Sequence, residues 1–267
     1  MSKGNFSVIG VIPARMASFR FPGKPMVKIC GIPMIGHVYL RCKMSSLLDD
    51  LYVATCDQEI YDYIVSIGGK AVMTADTHER ASDRCAEALQ KIEQTLGVHA
   101  DVMAMVQGDE PMILPKMIDE TIQPLLEENE FVISNLITKL RTKEEHDNPN
   151  RVKVVVDKNG GAMYFSREPI PSRKKGVADV PMLNQTGIIF FRRDFLYKYM
   201  KMEQTPLEII ESVDMLRVLE NGYKIKAVIT DDISLGVDTP EDLEIVSREM
   251  EKDEWFLKYR DVKGVLS

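Results

Sequence analysis

Apolar, β-branched runs alternate with amphipathic helical patterns along most of this chain of 267 residues. The strand-like runs occupy residues 7–12, 51–55, 70–73, 101–106, 130–137, 152–156, 186–191 and 224–230. The helical patterns run from Pro33 to Met44, Gln58 to Ile67, Ala81 to Leu96, Pro115 to Glu128, Leu207 to Glu220 and Pro240 to Glu251. Strands separated by helices of this length are typical of βαβ units, in which crossover helices join parallel strands. The pattern therefore predicts an α/β fold with a mostly parallel sheet flanked by helices.

The alternation breaks within residues 138–192. The helical signal disappears there, and strand-like runs flank a stretch rich in proline and lysine, Arg167–Gly176. A chain of this length can bury one full α/β core, and the sequence contains neither a repeat nor a low-complexity linker. We therefore interpret residues 1–267 as a single domain and residues 138–192 as a β-rich lobe or dimerisation arm within it.

The first 48 residues contain no aspartate or glutamate but carry seven lysines and arginines, although the whole chain has a formal net charge of −7. Arg15, Arg20 and Lys24 lie in a loop with glycine and proline that follows the first strand-like run. In an open α/β sheet, ligands bind beyond the carboxyl ends of the strands. Cations and backbone N–H groups can hold phosphates there. The loop is therefore predicted to bind an anion, and the competing interpretation is a solvated surface loop.

Composition argues against several other classes of protein. No apolar run approaches the roughly 20 residues that span a bilayer, and we expect no signal peptide. The four cysteines form no Cys-x-x-Cys pair, which argues against a zinc or redox motif and favours reduced thiols in the cytoplasm. The negative charge argues against nucleic acid as the main partner. The histidines show no metal spacing, and His37 is expected to be a packed or half-exposed helix residue.

Two acids follow the predicted strand at 101–106, in the sequence Gln107-Gly-Asp-Glu-Pro111. The chain is expected to turn at Gly108, which places Asp109 at the carboxyl end of the strand. Magnesium prefers oxygen ligands and often uses one or two carboxylates together with substrate phosphates. Asp109 is therefore a candidate magnesium ligand, and the alternative is a turn stabilised by an Asx interaction.

A second candidate carboxylate precedes the last helical pattern, in Gly236-Val-Asp-Thr-Pro-Glu-Asp-Leu243. Thr239 is a favourable N-cap, Pro240 suits the first helical position, and acids in the first turn complement the helix dipole. Helix initiation does not explain Asp238, which the pattern places at a strand end. We therefore consider Asp238 a candidate second magnesium ligand.

Two common phosphate-binding signatures are absent. The dinucleotide glycine pattern is missing, and Gly31-x4-Gly36 is followed by His37-Val38 instead of Lys-Ser, which excludes a Walker A site. The charged segment Thr77–Arg84 reads as a loop that enters a helix. By itself this segment is interpreted as a solvated charge cluster.

Taken together, these motifs resemble the 3-deoxy-manno-octulosonate (Kdo) cytidylyltransferase family, also called CMP-Kdo synthetases. The matching motifs are Ile12-Pro-Ala-Arg-x4-Arg-x-Pro-Gly-Lys-Pro25, Gly31-x-Pro-Met-Ile35, Val53-Ala-Thr55, Gly68-Gly69, Val106-Gln-Gly-Asp-Glu-Pro111, Asn148-Pro-Asn150, Val152-Lys-Val-Val155, Tyr164-Phe-Ser-Arg167, Leu216-Arg-Val-Leu219 and Gly236–Leu243. The resemblance implies a Rossmann-like nucleotidyltransferase with a small dimerisation lobe, which forms a homodimer. It implies transfer of CMP from CTP to an acid sugar of a surface glycan, with release of pyrophosphate.

The resemblance also implies roles for individual residues. The implied catalytic residues are Arg15, Lys24, Asp109 and Asp238, of which the two aspartates hold Mg²⁺. The implied nucleotide-binding residues are Ala14, Arg15, Arg20, Lys24, Thr55, Arg84 and Gln107. The implied acceptor-binding residues are Gln107, Gln185, Ile189, Asp214 and Met215.

Several positions depart from the family pattern. The Ser-Gly-Thr-Asp/Glu-Arg motif is Arg80-Ala-Ser-Asp-Arg84 here, and Ala-Thr-Asp becomes Ala54-Thr55-Cys56. On the acceptor side, His-x-Gly-x-Tyr becomes Gln185-Thr-Gly-Ile-Ile189, and Glu-Gln becomes Asp214-Met215. A sugar hydroxyl that loses a hydrogen-bond partner in this way costs roughly 1–3 kcal/mol. The nucleotide half of the chain therefore matches the family, whereas the acceptor half predicts a modified acid sugar instead of Kdo itself. The competing interpretation is that Kdo still binds, through backbone groups and Gln107, and that the four changes have no effect on the acceptor.

Two rival functions are also compatible with the sequence. The first keeps the cytidylyl transfer but uses a phosphate or phosphonate acceptor, which gives a CDP-type product. The second is a nucleotide-binding protein that has lost catalysis. Retention of Lys24 and both candidate aspartates argues against this second rival.

Overall fold

The structure is a computed structural model, and it describes residues 6–17, 21–177 and 179–261. The strands are β1 (Val8–Ala14), β2 (Lys28–Ile29), β3 (Ile32–Pro33), β4 (Asp50–Thr55), β5 (Ala71–Met73), β6 (Val102–Val106), β7 (Phe131–Lys139), β8 (Lys153–Val156), β9 (Ala162–Ser166), β10 (Leu183–Arg192) and β11 (Lys224–Thr230). The α-helices are α1 (Met34–Cys42), α2 (Gln58–Ser66), α3 (Ala81–Leu96), α4 (Pro115–Glu127), α5 (Lys143–Asp147), α6 (Arg193–Tyr199), α7 (Pro206–Glu211), α8 (Met215–Glu220) and α9 (Pro240–Met250). Within the described ranges, none of these helices combines the length and the apolar character that a membrane span requires. The chain divides into two compact units, unit 1 (Met1–Asp119 with Ser234–Ser267) and unit 2 (Glu120–Ile233).

Unit 1 contains parallel strands, in which β1 lies between β4 and β6, and β5 pairs with β4. All residues of β1 are buried, as expected for a strand that is covered on both faces. The register pairs Ala14 with Thr55, so β1 and β4 end at the same edge. Because β6 is also parallel to β1, the loop after Val106 leaves the sheet at this edge too. The predicted α/β fold is confirmed, and three loops meet at the carboxyl edge of the strands.

Unit 2 contains mixed strand pairing, in which β7 is parallel to β11 and antiparallel to β10. The strand β8 pairs antiparallel with β9 and, at a single position, with β10. The register between β10 and β7 shifts between Gln185 and Ile189. Asn135 Nδ2 donates to the carbonyl oxygens of Thr186 at 3.2 Å and Ile188 at 2.9 Å across this bulge. The β-rich segment 138–192 lies within unit 2, and the assignment of the whole chain to one domain stays a prediction.

The predicted helix from Leu207 to Glu220 is wrong as a single element. The structure has α7 and α8 in its place, with a break at Ser212, whose φ of 52° lies in the left-handed region. Arg167 holds this break, because its Nε donates to the carbonyl oxygen of Glu211 at 2.8 Å and its Nη2 to that of Ser212 at 3.1 Å. The amphipathic pattern of the sequence continues across the break and therefore does not reveal it. The hydrogen bonds that stabilise the break come from Arg167, directly after β9.

The helices α5 and α6 and the strand β9 have no predicted counterpart in the sequence patterns. The helix α5 lies in the segment in which the helical signal disappears, so the expectation of no helix there is wrong. Thr142 and Glu145 form a capping box at its N-terminus, and such caps stabilise a helix end without any apolar face. A short polar helix therefore leaves no hydrophobic periodicity in the sequence.

Buried polar contacts anchor α1 to the segment that follows α9. Arg41 has no exposed surface, and it pairs with Asp253 at 2.5 Å and donates to Tyr259 Oη at 3.2 Å. His37 Nε2 lies 2.8 Å from the carbonyl oxygen of Ile29. Because a carbonyl can only accept, Nε2 carries the proton, and Tyr259 Oη donates to Nδ1 at 2.7 Å. Burial lowers the pKa of His37 to about 4, which keeps this packed helix residue neutral at neutral pH.

Candidate active site

A cleft of about 360 Å³ opens at the carboxyl edge of the parallel strands of unit 1. Its lining includes Ala14 and Arg15 after β1, Lys24, Gln107 and Asp109 after β6, and Asp238 before α9. The structure therefore brings both predicted carboxylates together with two of the three predicted loop cations. Arg20, the third cation, lies outside the described residues.

Close backbone packing positions the loop that carries Asp109. A Cβ atom added at Gly108 would lie 2.9 Å from the carbonyl oxygen of Pro13 and 3.2 Å from Ile35 Cδ1. Real Cβ atoms are not found so close to a backbone oxygen, so a side chain at this position would push the loop away from β1. The glycine thus allows Asp109 to lie directly beside the end of β1.

The basic loop is fixed at both ends by hydrogen bonds. Met16 N donates to Asp57 Oδ2 at 2.8 Å, so the residue after Cys56 supplies a carboxylate that holds the start of the loop. Gly23 N donates to the carbonyl oxygen of Met16 at 3.0 Å. Gly23 has a φ of 74°, which glycine adopts without strain, and it precedes a one-turn 3-10 helix that begins at Lys24. These bonds fix Met16 and Gly23, and Gly23 directly precedes Lys24.

Lys24 lies between the two predicted metal ligands. Its Nζ donates to Asp109 Oδ2 at 2.8 Å, to the carbonyl oxygen of Val237 at 2.9 Å and to Asp238 Oδ1 at 3.3 Å. The Lys24 side chain is 12% exposed, compared with 36% for Asp109 and 52% for Asp238. The two carboxylates therefore share one positive charge at the floor of the cleft.

The position of Asp238 differs from the sequence prediction in one respect. It does not end a strand, because β11 ends at Thr230. Its loop is instead joined to the Asp109 loop, since Val237 N donates to the carbonyl oxygen of Asp109 at 2.9 Å. The predicted capping of α9 is confirmed, with Thr239 accepting from Asp242 N at 3.2 Å and Asp242 Oδ2 accepting from Thr239 N at 2.9 Å. The capping box is formed by Thr239 and Asp242.

Glu110 belongs to the same cluster, although sequence reasoning gave it no role. Its Oε2 accepts from Ser234 Oγ at 2.7 Å. Burial raises the pKa of Glu110 to about 7, and the nearby charges of Asp109 and Asp238 act in the same direction. The sequence shows Glu110 only as the second acid of the Gly-Asp-Glu turn. Its hydrogen-bond partner, Ser234, is distant in the chain, so the sequence could not reveal the environment of this carboxyl group.

A second cleft of about 210 Å³ lies beside the first and is lined by Arg15, His78, Arg84 and Gln107, among others. Arg84 is buried, and its Nη1 donates to Thr74 Oγ1 at 2.6 Å and to the carbonyl oxygen of Ala75 at 3.2 Å. Its Nη2 is buried without a hydrogen-bond partner in the part of the chain that the structure describes. A buried donor of this kind favours a ligand that brings an acceptor oxygen or nitrogen.

The remaining predicted residues are placed as follows. Thr55 is fully buried, and its Oγ1 accepts from Asp57 N at 3.1 Å. Gln185 is half-buried on β10, Ile189 and Met215 are buried in unit 2, and Asp214 is half-buried at the start of α8. Their predicted contact with an acceptor stays a prediction.

The residues around Lys24 fit a magnesium ion. Magnesium is held by hard oxygen ligands, often carboxylates that act together with substrate phosphates. Asp109 and Asp238 each place a carboxylate oxygen within 3.3 Å of the same ammonium nitrogen. The ammonium therefore demonstrates that both side chains can converge on a single positive centre.

Known proteins resemble this chain over most of its length. Residues 9–225 match the family model described as cytidylyltransferase. The 3-deoxy-manno-octulosonate cytidylyltransferase of Fusobacterium nucleatum is 45% identical over 238 residues, covering 89% of this chain and 94% of that protein. The protein of the same name from Geotalea uraniireducens is 42% identical over 255 residues, covering 92% of this chain and 99% of that protein.

A solved structure of a CMP:2-keto-3-deoxy-manno-octonic acid synthetase complexed with CTP superposes on this chain with a TM-score of 0.85. It shares 36% sequence identity and covers 92% of this chain and 99% of its own. A cytidylyltransferase structure from Leptospira borgpetersenii, 17% identical with a TM-score of 0.60, shares the fold. The sequence motifs, the fold and these similarities agree. The chain belongs to the 3-deoxy-manno-octulosonate (Kdo) cytidylyltransferase family of nucleotidyltransferases.

Proposed function

We propose that this protein transfers CMP from CTP to an acid sugar of the Kdo class and releases pyrophosphate. The observation that carries the proposal is the cluster of Lys24, Asp109 and Asp238 at the floor of a cleft bordered by Arg15. Parallel-sheet proteins bind their ligands at this edge. The cluster combines cations for phosphate oxygens with carboxylates for a metal ion, as a nucleoside triphosphate complexed with magnesium requires.

The proposed reaction is an in-line displacement at the α-phosphorus of CTP. An oxygen of the acceptor sugar forms a bond to the α-phosphorus, the bond from that phosphorus to the bridging oxygen of the β-phosphate breaks, and the hydroxyl proton leaves to solvent. Lys24 and Arg15 stabilise the charge that develops on the departing pyrophosphate. Arg84 Nη2 orients the nucleoside by donating to an acceptor atom. When bound by Asp109 and Asp238, magnesium supplies Lewis-acid stabilisation and lowers the pKa of the attacking hydroxyl.

The direct test is pyrophosphate release from purified protein, CTP and magnesium with a panel of acceptors. The panel contains Kdo, modified acid sugars, and phosphate and phosphonate compounds. Release with an acid sugar supports the proposal, whereas release only with phosphates or phosphonates would establish the CDP-forming rival. CTP binding without turnover on any acceptor would identify a protein that has lost catalysis.

Lys24→Ala is expected to weaken the use of CTP by about 1.5–3 kcal/mol, the scale of a hydrogen bond to a charged group. The reason is that the variant removes a cation from the proposed triphosphate site. The measurement is kcat/KM for CTP at saturating magnesium and acceptor. Lys28→Ala is the matched control, because Lys28 is an exposed lysine nearby on β2. Equal effects of the two substitutions on kcat/KM would contradict the assignment of Lys24 to the triphosphate site.

The preferred acceptor is expected to differ from Kdo itself. Ile189 and Met215 replace polar side chains of the family pattern, so a hydroxyl that faces them loses its partner. A site with fewer polar groups also rejects less strongly an acceptor that lacks those hydroxyls. We therefore expect kcat/KM for Kdo to fall below about 10⁴ M⁻¹s⁻¹, the lower end of the usual enzyme range. Kdo turnover within that range would show that the substitutions do not alter the acceptor.

We propose a homodimer that forms through the β-rich segment 138–192. Met163 on β9 is 61% exposed and Val177 is 72% exposed, so this segment has apolar side chains that a second protomer could cover. Sedimentation at micromolar concentration is expected to give a dimer, and Met163→Lys is expected to shift it towards monomer. A monomeric wild-type protein in this experiment would contradict the proposed assembly.

We also propose a cytoplasmic location. Cys30, Cys42, Cys56 and Cys85 are all free thiols. Free cysteines are typical of proteins in a reducing compartment. The location places the enzyme where nucleoside triphosphates are available.

A further inference from the structure

We propose that the Lys24 ammonium is a resident counter-ion, which fills the metal position of the nucleotide-free protein and must be drawn away by nucleotide phosphates before a divalent cation binds. The proposal rests on the proposed function, since it assumes that Asp109 and Asp238 hold the metal. It assigns Lys24 two successive positions. In one it forms ion pairs with the two aspartates, and in the other it contacts the triphosphate.

The hydrogen-bond geometry carries the first step. An ammonium group has three N–H donors and no acceptor. Lys24 Nζ has three oxygen partners, on Asp109, Val237 and Asp238, at 2.8, 2.9 and 3.3 Å. All three donors are thus used within the protein, and none remains for a phosphate. A lysine in this position cannot hold CTP, so its phosphate contacts require the ammonium to leave the aspartates.

Competition for the same oxygens carries the second step. Magnesium binds oxygen ligands at 2.0–2.1 Å in a near-octahedral arrangement. One oxygen of each carboxylate, Asp109 Oδ2 and Asp238 Oδ1, already faces the ammonium. A divalent cation on these two oxygens would lie close to the ammonium, and the two positive ions would repel each other strongly. The ammonium and the divalent cation therefore compete for these two oxygens.

The surrounding charges explain why the lysine stays in place. Asp109 and Asp238 bring two carboxylate oxygens to the ammonium, at 2.8 and 3.3 Å. Lys24 is also largely buried, which strengthens its attraction to the two carboxylates. Incoming phosphates offer the ammonium new anionic partners, and the divalent cation that accompanies them replaces it on the aspartates.

A linkage between nucleotide and metal follows. If CTP draws Lys24 away from the aspartates, CTP raises the affinity for the metal. By thermodynamic reciprocity the metal raises the affinity for CTP by the same factor. Removal of the lysine should therefore weaken CTP binding and, at the same time, strengthen metal binding in the absence of CTP. A lysine that acted only as a phosphate ligand would not produce this opposite pair of effects.

The experiment measures binding of Mn²⁺ by electron paramagnetic resonance, which quantifies the free ion, in protein without nucleotide. Lys24→Met is expected to bind Mn²⁺ at least about tenfold more tightly than the wild type, within the usual range for coupled sites. Lys28→Met is expected to match the wild type. The double variant Lys24→Met with Asp109→Asn is expected to lose the increase in Mn²⁺ affinity. That loss would show that Asp109 is a ligand of the bound ion. CTP without acceptor is expected to tighten Mn²⁺ binding in the wild type beyond the binding of Mn²⁺ by CTP alone, which a titration without protein measures.

Unchanged or weaker Mn²⁺ binding by Lys24→Met without nucleotide overturns the proposal. Lys24→Gln, which keeps a polar side chain without the charge, is measured in parallel so that a folding defect of one variant does not decide the outcome. The proposed function is tested separately by pyrophosphate release. If Lys24→Met binds Mn²⁺ more tightly but the wild type never turns over CTP, the counter-ion role of Lys24 is supported and the proposed enzymatic function is contradicted. If the wild type turns over CTP but Lys24→Met gains no affinity for Mn²⁺, the enzymatic function is supported and the counter-ion role is contradicted.

Discussion

Asp238→Asn is expected to abolish pyrophosphate release while leaving unit 1 folded. The substitution keeps the size of the side chain but removes one of the two negative charges proposed to hold the metal. Loss of electrostatic stabilisation on this scale lowers the rate by about 10³-fold or more, equivalent to about 4 kcal/mol. The measurement is the rate of pyrophosphate release at saturating CTP and magnesium, together with a thermal melt of the same sample.

Thr239→Ala provides the matched control. Thr239 and Asp242 form the capping box of α9, so this variant is expected to lose about 1 kcal/mol of stability and to keep its turnover. Substitution of Asp238 should thus lower turnover without lowering stability, whereas substitution of Thr239 should lower stability without lowering turnover. Near wild-type turnover of Asp238→Asn at saturating magnesium would show that the metal assignment is wrong.

Arg41→Met is expected to reduce the free energy of unfolding by about 3–5 kcal/mol, the typical effect of removing one partner of a buried ion pair. Arg41 has no exposed surface, and Asp253 is 14% exposed. The variant therefore leaves a largely buried carboxylate without its cation, and it removes a donor to Tyr259 Oη. Urea unfolding monitored by circular dichroism measures the change.

Lys252→Ala is the control for this second prediction. Lys252 forms an ion pair with Glu249 at 3.9 Å, but its side chain is 75% exposed. Exposed pairs of this kind contribute about 0–1 kcal/mol. A loss of stability for Arg41→Met no larger than that for Lys252→Ala would mean that the anchor of α1 contributes little.

Much of the site could be predicted because topology brings distant residues together. The ends of parallel strands share one edge, so the loops after β1 and β6 had to meet, and Lys24 and Asp109 with them. Asp238 followed from a different argument, since a helix cap explained its neighbours but left it without a role. The structure adds the bond between Val237 and Asp109 that joins the two loops, which no local pattern contains.

The parts that could not be predicted depend on tertiary contacts of charged groups. Arg41 counts among the cations of the acid-free opening, but the structure pairs it with Asp253, so it takes no part in anion binding. The break at Ser212 depends on Arg167, and the pKa of Glu110 depends on burial and on the neighbouring aspartates. In each case the residue can be read from the sequence, but its role depends on a partner that only the folded structure places beside it.

The division of unit 1 into two sequence segments affects how the protein is made. Ribosomes synthesise a chain from its N-terminus, and domains begin to fold during synthesis. Lys24 and Asp109 are made before unit 2, whereas Asp238 and the anchoring residues Asp253 and Tyr259 follow only after all of unit 2. A nascent chain that ends with unit 2 therefore carries one of the two carboxylates and lacks the contacts that Asp253 and Tyr259 make with α1. The proposed catalytic centre can be completed only after unit 2 has been synthesised.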